Sequence, residues 1–183
     1  MGDLVIREAR TTDVTALLAI YRPYVVETTS TFEYQVPTEK EFSQRMEHTL
    51  TRYPYLVAEV AGTVMGYAYA SVYKPREAYD WSCEVTVYVK QDEKARGVGS
   101  ALYQRLEELL TKQGICTLVA CITAGNAASI AFHEKWGYRE VARFEQLGYK
   151  FGAWQDVLWF QKQLQPLPKS PAAFLPYLLL EAK

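Results

Sequence analysis

A chain of 183 residues is long enough for one domain with a substantial core and too short for two independent catalytic domains. Hydrophobic residues make up 49% of it and aromatics 14%, which excludes a disordered chain, while 20 basic against 21 acidic residues leave no surplus charge for a nucleic-acid partner. Small molecules and proteins remain as partners, and fourteen tyrosines suggest aromatic walls around a cleft or ordinary amphipathic filling.

Residues 4–9 read as a strand, and Thr12 stands where it can cap a helix over residues 14–27, with Leu17, Leu18, Tyr21 and Val25 on its apolar face. Pro23 is expected to disturb the last turns. The loop over residues 28–37 carries Phe32 and Tyr34 among polar neighbours, a lid-like place, and Thr38 with Glu41 forms a capping box for a helix to about residue 50. Residues 55–60 and 63–73 make a hairpin about Ala61-Gly62 that gathers Gly66, Ala68 and Ala70 on one face. After a broken stretch, a strand over residues 81–89 places Glu84, Thr86 and Tyr88 on one side and Cys83, Val85, Val87 and Val89 on the other.

That strand leads into Lys94-Ala95-Arg96-Gly97-Val98-Gly99-Ser100, and Val98, Leu102, Leu106, Leu109 and Leu110 then stripe a helix that stops at Gly114. A glycine turn between a strand and a helix presents free backbone N–H groups at one point, a place for an anion, although glycines used only for packing give the same local pattern. The turn is neither a Walker loop nor a full dinucleotide fingerprint. Residues 115–122 read as a buried strand, and Asn126 and Ser129 open a helix containing Ile130, Phe132, His133 and Trp136 that Gly137 ends. Residues 138–145 and 154–162 are the last strands. The pattern divides residues 1–164, a domain, from residues 165–183, a proline-rich apolar tail that wraps either its own domain or a neighbouring subunit.

Cys83, Cys116 and Cys121 match neither a disulfide framework nor a zinc ligand set, so reduced thiols and no metal are expected. The start of the chain lacks a basic region followed by a long apolar core, and no run spans a membrane; a soluble cytoplasmic protein is expected.

The turn from Lys94 resembles the pyrophosphate loop of the GCN5-related N-acetyltransferase superfamily, commonly Gln or Arg, two residues, Gly, one residue, then Gly or Ala, with lysine here in the first position. Further segments resemble the phosphinothricin and methionine sulfoximine acetyltransferase family: Tyr24-Val25-Val26-Glu27-Thr28-Thr29-Ser30-Thr31-Phe32-Glu33, Arg76-Glu77-Ala78-Tyr79-Asp80-Trp81, Glu84-Val85-Thr86-Val87-Tyr88-Val89, the run from Asn126 to Tyr138, and Gly148-Tyr149-Lys150-Phe151-Gly152-Ala153-Trp154-Gln155-Asp156-Val157. The resemblance covers residues 4–164 and implies an α/β fold, a mixed central sheet flanked by helices. It implies acetyl-CoA as donor, a small amino-acid-like acceptor such as phosphinothricin, methionine sulfoximine or methionine sulfone, and a homodimer.

The same resemblance implies site residues. Val87, Tyr88 and Val89, with Lys94, Ala95, Arg96, Gly97, Val98, Gly99 and Ser100, would bind the donor, joined by Asn126 and Ser129. Glu84 would take the proton of the acceptor amine, or else be a strand carboxylate paired with Arg or Tyr. His133 would relay that proton or protonate the departing sulfur. Arg76 would clamp the acceptor carboxylate, with a surface salt bridge as the alternative, and Phe32, Tyr34, Tyr79, Tyr88 and Lys150 are further acceptor-side groups. Transfer to a polyamine, antibiotic or peptide amine, and a CoA-binding regulator without transfer, are the competing readings.

Overall fold

The computed structural model describes residues 3–91 and 97–180. Strand alternation at both ends of the chain brings seven strands into one sheet, ordered β1 (Leu4–Glu8), β2 (Tyr55–Val60), β3 (Thr63–Val72), β4 (Ser82–Val89), β5 (Thr117–Thr123), β7 (Ala153–Gln163) and β6 (Arg139–Lys150). Every neighbouring pair is antiparallel except β4 with β5. The helices α1 (Val14–Glu27) and α2 (Glu39–Leu50) cover one face, where Leu17, Val25, Met46, Val57 and Tyr67 form a core. The helix α3 (Val98–Lys112) covers the other through Leu102, Leu106 and Leu110 against Cys83, Leu118 and Phe160. This is the expected mixed sheet flanked by helices, completed by α4 (Ala127–Lys135) and a short α5 (Tyr177–Leu180).

Three local expectations change. Thr12 does not cap α1, because residues Thr11–Asp13 form a 3-10 turn in which Asp13 turns back to accept from Arg7 Nη1 at 2.8 Å and from the Arg10 N–H at 2.7 Å. Pro23 sits inside α1 without ending it: its fixed φ suits a helix, although the ring removes the N–H that would otherwise bond to the preceding turn. The strand expected to stop near residue 145 runs on as β6 to Lys150, with a break in register between Phe144 and Gly148 where Gln146 adopts φ 51° and its N–H meets Asp156 Oδ1 at 3.0 Å. A bulge destroys the two-residue alternation that marks a strand in sequence. By contrast the Thr38–Glu41 capping box forms as expected.

The small-residue face of β3 has a structural reason. A Cβ at Gly66 would lie 2.9 Å from the Tyr88 carbonyl and 3.0 Å from Val98 Cγ1, so glycine lets β3 run close under the end of β4 and the start of α3. Gly66→Ala is expected to cost about 1–3 kcal/mol through forced shifts of these backbones, read as a lower urea midpoint at unchanged slope.

The described part of the tail lies on its own domain. Trp81 Nε1 donates to the Ala172 carbonyl at 2.8 Å, Gln113 Nε2 donates to the carbonyls of Arg52 and Leu175, and Phe174 lies 4.2 Å under the Arg52 guanidinium. Among the described residues no helix is long and apolar enough to cross a membrane.

Candidate active site

The parallel pairing of β4 with β5 covers only Ser82–Glu84 against Thr117–Val119, after which the strands part. The Trp81 carbonyl accepts from Cys116 and Thr117 on the β5 side, and the Lys90 N–H donates to Met65 on the β3 side. Main-chain groups alternate along a strand, so Val85, Val87 and Val89 present theirs to the gap while Tyr88 pairs with β3. Tyr88 therefore contributes its ring, which meets Tyr21, Tyr24 and Tyr67 at centroid distances of 5.0, 4.9 and 5.4 Å. The Val89 carbonyl is taken by Tyr24 OH at 2.6 Å. The parted strands open a cleft of about 1070 Å³.

One end of the cleft reaches the start of α3. Gly97 adopts φ 74°, a conformation glycine takes without strain, and the first helical bond runs from the Ala101 N–H to the Gly97 carbonyl. The N–H groups of Val98, Gly99 and Ser100 thus have no partner within the helix, and Gly97, Gly99 and Ser100 line the cleft. Lys94, Ala95 and Arg96 lie outside the described residues. This donor set fits a phosphate group, and the unpaired edge of β4 beyond it fits an amide-bearing arm. Among the described residues no cluster of His, Cys, Asp and Glu is arranged to hold a metal ion.

Glu84 occupies the last rung of the parallel pairing and lines the cleft. Burial pushes its carboxyl above the usual carboxylate range and outweighs Lys74, which acts in the opposite direction. His133, 4% exposed, has Nδ1 2.8 Å from the Ser129 carbonyl, which can only accept, so Nδ1 carries the proton and Nε2 is the acceptor. Nε2 lies 2.9 Å from Tyr103 OH, which therefore donates to it. Burial lowers the histidine below its ordinary value and holds the imidazole neutral.

Tyr103 is one site residue that sequence reasoning missed. It follows Leu102 in a stripe that reads as core, it is fully buried, and its partner is 30 positions away. Asn126 does cap α4, accepting from the Ser129 N–H at 3.2 Å, and its amide also donates to Ser30 Oγ at 3.0 Å. It ties the loop over residues 28–36 to α4.

That loop forms the opposite wall. Thr123 Oγ1 donates to the Thr29 carbonyl at 2.6 Å, Lys150 Nζ to the Thr31 carbonyl at 2.6 Å, and Tyr34 OH to the Tyr149 carbonyl. Phe32 lines the cleft and rests on Gly148, where an added Cβ would collide with its ring. Lys150, 1% exposed, and Tyr34 hold the loop from outside the cleft rather than lining it. Arg76 and Tyr79 also lie away from the lining, on an exposed 3-10 turn where Tyr79 meets Tyr73 edge-on. Arg45, from α2, does line the cleft, as do Tyr21, Tyr24 and Tyr69. Of these four only Tyr24 fell within a segment that carries the family resemblance, and none was expected to line the site.

The family model for an acetyltransferase (GNAT) domain matches residues 6–159. The chain is 39% identical over 167 residues to a phosphinothricin N-acetyltransferase from Streptomyces viridochromogenes, covering 91% of each chain. It is 37% identical over 169 residues to an L-methionine sulfoximine/L-methionine sulfone acetyltransferase from Pseudomonas aeruginosa, covering 91% of this chain and 98% of that one. Among solved structures, a GNAT superfamily phosphinothricin acetyltransferase from Sinorhizobium meliloti in complex with acetyl-CoA superposes with a TM-score of 0.90 at 30% identity, over 97% of this chain and 98% of that one.

Proposed function

Because the chain belongs to the GNAT acetyltransferase family, we propose that it is an acetyl-CoA-dependent N-acetyltransferase acting on the α-amino group of small amino-acid-like acceptors such as phosphinothricin, methionine sulfoximine or methionine sulfone. The observation that carries this reading is the position of Glu84, a half-buried carboxylate at the fork of β4 and β5, between free helical N–H groups on one side and a tethered loop on the other. Acetyl-CoA supplies an activated acetyl thioester. Its phosphates are read by the N–H groups of Val98, Gly99 and Ser100, and its amide arm by the free edge at Val85 and Val87.

An α-ammonium must lose a proton before it can attack, and Glu84 receives it, directly or through water. A β4-edge N–H offers a hydrogen bond to charge developing on the acyl oxygen. The Tyr103 hydroxyl already directs its proton at His133 Nε2, so a proton reaching the tyrosine oxygen from the cleft can be passed on to the imidazole, which the Ser129 carbonyl steadies, and later returned to the leaving sulfur. Phe32 forms an acceptor wall, with Lys150 and Tyr34 as positioning residues behind its loop. Gly148→Ala, which drives the Phe32 ring off its seat, is expected to raise acceptor KM roughly tenfold while leaving acetyl-CoA affinity unchanged by calorimetry.

Residues 1–164 are read as the catalytic domain and residues 165–183 as an appended tail. A cytoplasmic homodimer completes the proposal. Its thiols are free, and the β6–β7 hairpin exposes Phe144, Leu147, Tyr149 and Trp154, the Tyr149 and Trp154 rings in contact, apolar side chains suited to a second copy. Light scattering measures that state directly.

The decisive test is an acetyl-CoA-dependent thiol-release panel of methionine sulfoximine, methionine sulfone, phosphinothricin, ordinary amino acids, polyamines and peptides. Release that depends on a small α-amino acid supports the reading. Release with polyamines or peptides alone overturns it, and acetyl-CoA binding without any release favours a regulator.

A further inference from the structure

Arg45 lines the main cleft and also a side recess of about 70 Å³, and it shares both with Tyr21, Tyr69 and Tyr88. Its Nη1 donates to Glu33 Oε1 at 2.5 Å, so α2 is bridged to the cleft loop by an ion pair. The other carboxylate oxygen of Glu33 accepts from Tyr21 OH at 3.2 Å, and Tyr21 OH lies 2.7 Å from Thr31 Oγ1. Thr31 in turn is the residue that buried Lys150 holds. Glu33 is therefore held through both of its carboxylate oxygens, while Arg45, with a side chain 57% exposed, can redirect its remaining N–H groups.

The sheet places this pair relative to the chemistry. Tyr69 stands opposite Thr86, one same-face position along β4 from Glu84, and Tyr67 opposite Tyr88, a position further. Each such step is about 7 Å. An amino acid whose amine meets Glu84 carries the tip of a four- or five-atom side chain about that far away, level with Tyr69 and the recess beside Arg45.

Resting on the reading of the chain as an amino-acid N-acetyltransferase, we infer that the Glu33–Arg45 pair reads the far end of the acceptor and favours an uncharged oxygen-bearing terminus, a sulfone or sulfoximine, over an anionic one such as a phosphinate. The guanidinium keeps N–H donors free for neutral S=O oxygens after one is given to Glu33. An anionic terminus meets the same donors but also the Glu33 carboxylate, which cannot turn away. The pair is thus a net-neutral hydrogen-bonding surface, and the carboxylate is its discriminating half.

Steady-state kinetics of the full chain with methionine sulfone, phosphinothricin and norleucine test this. Wild type is expected to prefer the sulfone. Glu33→Gln should move the phosphinothricin-to-sulfone ratio of kcat/KM toward phosphinothricin by roughly tenfold, through KM. Arg45→Met keeps the aliphatic stem and should weaken both oxygen-bearing acceptors relative to norleucine, with Arg45→Lys recovering part of the loss. An unchanged ratio in Glu33→Gln, or an equal loss for all three acceptors in Arg45→Met, would overturn the inference. Thermal melts and acetyl-CoA calorimetry on each variant separate these outcomes from misfolding. Wild-type enzyme that releases no thiol with any of the three amino acids would overturn the amino-acid reading itself.

Discussion

Glu84→Gln is expected to lower kcat by about 10²–10⁴-fold while acetyl-CoA binds as before. The glutamine amide fills the same place at the fork but cannot take a proton, and the donor-binding groups on α3 are untouched. Because burial raises the Glu84 carboxyl, wild-type activity should fall as pH drops through that raised value, and the acid limb should vanish in the variant. Stability should move the other way. Between the ordinary carboxyl value of 4.5 and the raised one, the folded protein holds a proton that the unfolded chain has lost. The residue's contribution is thus fully present in acid and is lost as pH rises through the folded value. Glu84→Gln should therefore show a higher urea midpoint than wild type at about pH 8, the two converging near about pH 4. Matching activity profiles, or a variant less stable at the higher pH, would remove Glu84 from the role of proton acceptor.

The second large effect belongs to the buried histidine. His133→Ala leaves the fully buried Tyr103 without its acceptor and opens a void beside Phe132, Tyr138 and Phe160, a loss of about 2–4 kcal/mol. Turnover should fall by about 10²-fold if the pair moves protons. Tyr103→Phe separates the two contributions, for it keeps the ring and the void closed yet removes the hydroxyl. A relay requires comparable loss of kcat in both variants, with little loss of stability in the second. If Tyr103→Phe turns over normally, His133 serves packing alone.

Much of this site was legible in the chain. The alternation of β4 placed Glu84, Thr86 and Tyr88 on one face and Cys83 and Val85 in the core, and the Thr38 capping box marked the start of α2. Such features are local, because periodicity and caps involve residues within a turn or two of each other. What stayed hidden depends on sheet order. Insertion of β7 between β5 and β6 carries Gly148 and Lys150 to the far side of the loop at Phe32, more than a hundred positions away in sequence. Arg76 sits in a conspicuous motif yet on an exposed turn, whereas Arg45 appears as one more charge on a polar helix and reaches the cleft. Tyr103 was hidden by its neighbours, since a hydroxyl inside a leucine stripe declares no partner until the fold supplies one.

The shortness of the β4–β5 pairing gives the cleft a floor. Nothing lying between the strands can travel past the rung of Glu84 and Val119, where they close on each other. From Val89, beside the start of α3, that floor is about 17 Å away along the strand. An extended molecule held by its anionic end at α3 is therefore measured against a fixed stop. Tip length, as well as tip chemistry, is selected by the place where two strands cease to be neighbours.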